Sequence, residues 1–159
     1  MMHILKHTDP ILKEVSKSFD FKDPPFEPIQ FSQDLVKTMY DNNGICLTAV
    51  QVGIPYRIFA MRGSPQNFVC FNPRIVQPSE EQIRLEEMSL TFPGLSVKIK
   101  RPRHVKVRFA TPNGEVRTET YTGITARTFM HCMDFLNGEI FYRKANPIHR
   151  EQAMRKWKQ

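Results

Sequence analysis

Residues 126 to 138, Ala126-Arg127-Thr128-Phe129-Met130-His131-Cys132-Met133-Asp134-Phe135-Leu136-Asn137-Gly138, set the frame for the whole chain. Gly123 precedes the segment and Gly138 closes it as a C-terminal cap, which predicts one helix between them. Its pattern comes close to a metal-binding helix. In His-Glu-x-x-His two imidazoles four residues apart share one face and grip one metal ion, and the Glu beside the first His is the general base. Here only His131 is kept, with Cys132 at the Glu position. Phe135, which has no lone pair to donate, stands where the second His belongs. A lone histidine on an amphipathic helix is ordinarily packed or solvated, so this segment by itself sets a helix and not a chemistry.

The rest of the chain bounds the function class. With 159 residues a single domain spanning 1–159 with one core is expected. The mean hydropathy is −0.43, and no apolar run approaches the ~20 residues of a membrane span. The opening Met1-Met2-His3-Ile4-Leu5-Lys6-His7 lacks the apolar stretch of a secretory signal, so a cytoplasmic location with no membrane partner is expected. Cys46, Cys70 and Cys132 form an odd, scattered set without metal-finger spacing, which argues against a disulfide framework. The net charge of +7 favours polyanionic neighbours. It gathers in Lys98 to Arg108 and in the tail from Arg143 onward.

Hydrophobic periodicity places the other elements. Phe31, Leu35 and Met39 at i, i+4 and i+8 predict an amphipathic helix from Ile29 to the Asn42-Asn43-Gly44 stop. Arg57 to Met61 and Asn67 to Pro73 predict two short strands around a Gly63-Ser64-Pro65 turn. Val105, Val107 and Phe109 alternate with Lys106 and Arg108, and Pro112-Asn113-Gly114 leads into Glu115 to Tyr121, which predicts a hairpin with its basic residues outward. Asn146-Pro147 starts a last helix reaching about Trp157. The class is α+β, a central helix against mixed, mostly antiparallel strands.

Three separated segments together resemble the peptide deformylase family, metal-dependent hydrolases that remove the formyl group from the initiating methionine of new proteins. The family's Gly-x-Gly-Leu-Ala-Ala-x-Gln is similar to Gly44-Ile45-Cys46-Leu47-Thr48-Ala49-Val50-Gln51. Its Glu-Gly-Cys-Leu-Ser-x-Pro is similar to Glu87-Met88-Ser89-Leu90-Thr91-Phe92-Pro93, and its His-Glu-x-Asp-His-Leu-x-Gly to His131 through Gly138. The likeness covers nearly the whole chain, in order and spacing. It implies a deformylase-like fold, with the His131 helix central and a short basic helix at about 147–158.

Carried over residue by residue, the resemblance implies a metal-ligand set of Ser89, His131 and Phe135, a base position at Cys132 and an oxyanion donor at Gln51. Neutral serine is a poor ligand for divalent metals and Phe135 is none, so no cofactor is expected, or at most one zinc or iron ion. Gly44, Cys46, Leu47, Met88, Leu90 and Phe135 are expected to outline a remnant pocket, narrowed by Cys46 and Met88 where the family keeps glycine. The chain is therefore expected to be a catalytically inactive pseudo-enzyme with a degenerate metal site, serving as a binding module. The alternative is an active metal-dependent deformylase or amidohydrolase with a rebuilt Cys46, His131 and Cys132 site. Neighbouring helix positions point about 100° apart, which makes His131 and Cys132 an awkward pair.

For the partner, the resemblance implies the ribosome near the nascent-chain exit, through ribosomal protein or rRNA, with a formylated nascent peptide as a further ligand. Arg150, Arg155, Lys156 and Lys158 suit phosphate contacts, and Trp157 suits stacking. The competing expectation is a tail helix whose Ala153, Met154 and Trp157 pack back on the body.

Overall fold

The computed structural model describes residues 2–63 and 65–157. Ser64 of the expected turn and Lys158 of the tail fall outside them. The expected helices all form: α1 spans Pro28–Asp41, α2 Gly123–Leu136 and α3 Pro147–Trp157. The Glu27 side chain caps the first turn of α1 by accepting from Ile29 N, and the helix buries Phe31, Leu35 and Met39, the stripe that its periodicity marks.

Five strands form one antiparallel sheet in the order β1 (Cys46–Thr48), β2 (Ile58–Met61), β3 (Phe68–Pro78), β6 (His104–Ala110) and β7 (Val116–Thr122). The β6–β7 hairpin is the one expected, with Lys106 and Arg108 outward. Side-chain alternation serves two cores. In β2, Ile58 and Ala60 join the cluster under α1, while Phe59 and Met61 join the cluster under α2. Both faces of the sheet are thus covered, α1 on one and α2 on the other.

A second sheet is the two-stranded hairpin of β4 (Gln82–Ser89) and β5 (Phe92–Pro102). It had no counterpart among the sequence expectations. β5 and α3 share a third cluster that includes Leu95, Val97, Ile99, Phe135, Phe141 and Ala153. α2 therefore runs between the two sheets, and every residue from Ala126 to Leu136 is buried. Gly138 ends it at φ 70°, where a Cβ would meet the Lys13 carbonyl oxygen at 2.6 Å. No helix among the described residues is long and apolar enough to cross a membrane.

Candidate active site

Four segments meet in one cleft of about 360 Å³, lined among others by Gly44, Cys46, Gln51, Met88, Ser89 and His131. Strand alternation in β4 turns Glu87 and Ser89 toward the body and leaves Met88 on the rim, 68% exposed. Gly44 closes the mouth from the other side, since a Cβ there would lie 2.6 Å from Leu90 Cδ1. Of the expected pocket residues, Gly44, Cys46, Met88 and Leu90 line the cleft, whereas Leu47 and Phe135 lie in the apolar clusters behind it.

His131 enters from the middle of α2. Its Nδ1 lies 2.8 Å from Glu87 Oε1. A carboxylate only accepts, so a neutral His131 carries its proton on Nδ1 and donates it to Glu87. Nε2 is left as the lone-pair nitrogen, and it is buried without a hydrogen-bond partner. Glu87 also accepts from Arg101 Nη2 at 2.8 Å and from Arg127 Nη1, and Arg101 Nη2 donates to Asp134 Oδ2 at 2.8 Å. Two carboxylates and two guanidiniums thus neutralise one another inside the protein. Burial alone would raise the Glu87 carboxyl, but hydrogen bonds from His131 and Arg101 outweigh it and bring it down to about 2. The orientation of His131 is held by a carboxylate that stays ionised throughout the neutral range.

Gln51, in the short turn Val50–Val52 after β1, is fixed just as firmly. Its Oε1 accepts from Thr48 N at 2.9 Å and Thr48 Oγ1 at 3.0 Å, which forces the amide NH₂ the other way. Nε2 then donates to Thr91 Oγ1 at 3.0 Å and Ser89 Oγ at 3.3 Å. Thr91 N also donates to Ser89 Oγ, at 3.3 Å.

The expected deformylase chemistry implies a divalent metal ion here, and the donors do not fit one. The Ser89 hydroxyl is neutral and accepts two hydrogen bonds, the buried Phe135 ring has no donor atom, and only His131 Nε2 is left. The displaced set of Cys46, His131 and Cys132 does not form either. Among the described residues no group of three His, Cys, Asp or Glu side chains is placed to hold a metal ion. The helix separates the neighbours: His131 turns to Glu87, while Cys132 is fully enclosed in the apolar cluster with Phe59 and Phe129. Burial, and the Cys46 thiol beside it, push the Cys132 thiol well up, which removes it as a base or nucleophile.

Sequence reasoning missed Glu87, Arg101 and Arg127 as parts of the site. The readable signal was Glu87 itself, which opens the second motif, two positions before Ser89 on the same strand face.

In the tail, Trp157 Nε1 donates to Pro93 O at 2.8 Å and the ring lies edge-on to His7. Arg155 pairs with Glu151. Arg155 and Lys156 are exposed, Arg150 is half-buried, and Trp157 is engaged by the body.

The sequence profile described as polypeptide deformylase matches residues 1–151. A peptide deformylase of Brucella suis biovar 1 (strain 1330) is 34% identical over 94% of this chain and 87% of its own length. The Plasmodium falciparum peptide deformylase complex with inhibitor superposes with TM-score 0.87 at 31% identity, covering 98% of this chain and 96% of that one. A Synechococcus elongatus peptide deformylase in complex with actinonin gives TM-score 0.89 at 28% identity, over 98% of this chain and 85% of that one. These relatives correct the expectation of an inactive pseudo-enzyme that keeps the fold only as a binding module with a degenerate site. Likeness to deformylases over nearly the full chain points to an enzyme and to an ordinary deformylase. The reason for the error lies in the geometry: the motif positions were weighed, while the network of Glu87, Arg101 and Arg127 that orients His131 was not.

Proposed function

Since this chain belongs to the peptide deformylase family, we propose that it is an amidohydrolase that releases formate from N-formylated peptide N-termini in the cleft between β1, β4 and α2. The observation that carries this is the meeting, in one cleft, of a fixed donor and a fixed acceptor. Gln51 Nε2, its amide turned by Thr48, keeps one N–H on Thr91 Oγ1, and the other, held at 3.3 Å by Ser89 Oγ, is the one that would pass to the oxygen of a bound formamide as charge gathers on it. His131 Nε2, locked through Nδ1 by Glu87, is free to take a proton from the attacking group and return it to the leaving amine. The apolar rim of Ile45, Met88 and Leu90 suits a hydrophobic first side chain.

The test is formate release from a formyl-methionyl peptide, measured as isolated, after chelation, and with nickel, iron or zinc added. Turnover under any of these conditions supports the proposal. A chain inert in all of them overturns it. Gln51→Ala is expected to lower the rate by about 10²- to 10³-fold and, by leaving Thr48 N without its buried partner, to cost about 1–3 kcal/mol of stability.

Ribosome contact rests on the exposed Arg155 and Lys156 with Arg150 on α3, a basic edge suited to rRNA phosphates. Trp157, held by Pro93, is not part of it. Co-sedimentation with ribosomes at low salt should weaken in Arg155→Glu/Lys156→Glu. Unchanged pelleting would remove this partner.

A further inference from the structure

Trp157, the one tryptophan of the chain, lies behind the mouth of the cleft, where the ladder between β4 and β5 breaks. Glu87 pairs with Val97 and Ser89 with Phe92, so Pro93, Gly94, Leu95 and Ser96 form a bulge opposite Met88 alone. Pro93 and Gly94 line the cleft and are exposed. Without paired residues across the ladder, this part of the wall is held by what packs around it. Leu95 is fully buried in the cluster under α3, Ser96 Oγ donates to Glu86 Oε2 at 2.9 Å, and the Pro93 carbonyl accepts from Trp157 Nε1. A Cβ on Gly94 would lie 3.8 Å from Trp157 Cδ1, so the indole also covers this glycine, which sits at φ 83° with no side chain of its own to anchor it.

Behind the indole the two ends of the chain meet. His7 lies against both Trp157 and Phe92, and Phe92 packs on Phe141 and Tyr142. Two residues before His7, Leu5 N donates to Gln51 O at 2.8 Å. On the cleft side, Thr91 beside Phe92 accepts from Gln51 Nε2. The inner end of this wall is thus tied to Gln51, and its outer end to Trp157.

The two ends meet different parts of a substrate. Gln51 and His131 are 2% and 4% exposed, deep in the cleft, whereas the bulge stands at the opening. A peptide with its formyl group at Gln51 leads its later residues out past Pro93 and Gly94. We propose that Trp157 is a positioning residue for that peptide chain. By fixing the bulge, it sets how tightly the cleft holds the residues beyond the first, and it leaves the reacting group to Gln51 and His131. The inference rests on the amidohydrolase function proposed above and adds to it a dependence on peptide length.

The test compares a formyl-methionyl tripeptide with formyl-methionine amide, which ends before the bulge. Trp157→Phe keeps a ring against His7 and Phe92 and removes only the N–H. It should raise KM for the tripeptide by about 3- to 10-fold with kcat unchanged, and leave KM for the amide where it was. A merely structural Trp157 would lower the rate on both substrates alike. As the one tryptophan, Trp157 also supplies a readout that needs no turnover. Its emission should shift when the wild type binds the acetyl-methionyl tripeptide and stay unchanged with acetyl-methionine amide, binding of each being followed by equilibrium dialysis. A KM change equal for both formyl substrates, a common fall in kcat, or emission unmoved by a bound tripeptide would overturn the proposal. The two conclusions separate cleanly. Formyl substrates cut with no length dependence in Trp157→Phe remove the positioning role and leave the amidohydrolase. Formyl substrates left uncut, beside a tripeptide that moves the emission and binds Trp157→Phe more weakly, support the positioning role and remove the amidohydrolase.

Discussion

The two sides of α2 are built on different physics. One side sends Phe129, Met133 and Leu136 into the cluster beneath the five-stranded sheet. The other sends Arg127, His131 and Asp134 toward the β4–β5 hairpin, into the group of charges around Glu87. Shape and area hold the first side, where any apolar residue of the right volume would serve. Exact pairing holds the second, where removing one member leaves the others charged and dry. The apolar side thus carries the helix, and the charged side spends some of that stability to orient one imidazole.

The largest break of this contrast comes on the apolar side. Phe129 is fully buried with its ring 5.1 Å from that of Phe59, and Phe129→Ala should cost about 3–5 kcal/mol in chemical denaturation. Glu87→Gln keeps the shape and should cost about 3 kcal/mol, because Arg101 and Arg127 lose their shared countercharge. The acid titration sharpens the same point. Glu87 is depressed in the folded state, so its contribution is complete above its ordinary value of 4.5 and is lost as the pH falls toward about 2. Denaturation midpoints followed down that range should fall in the wild type, and this part of the fall should vanish in Glu87→Gln. On α3, Trp157→Phe loses the bond to Pro93 O and should cost about 1 kcal/mol by the same measurement.

How far the fold could be read from sequence follows this division. α1 and the β6–β7 hairpin were legible because their buried positions are apolar and recur with the proper period. α2 was legible from its glycine boundaries. The β4–β5 hairpin was not, since Glu87 and Arg101 occupy inward positions and interrupt the alternation that marks a strand. The site divided in the same way. Gln51, Ser89 and His131 were found by motif, and the structure brings them together around one cleft. The charges that orient His131 come from three elements and have no common spacing. Cys46 was singled out as a pocket residue, and the fold seats it at the inner wall of the cleft, against the cluster that holds Cys132.

The hydrogen bond from His131 to Glu87 joins positions 44 apart in the chain, and the partner that comes second lies near the end. During synthesis Gln51, Glu87 and Ser89 leave the ribosome before His131 and can settle into their turn and strand, while the imidazole that completes the cleft is still to be added. A growing copy therefore has walls before it has a base. The cleft is complete only once α2 has lodged between the two sheets, so the order of manufacture sets the order of assembly.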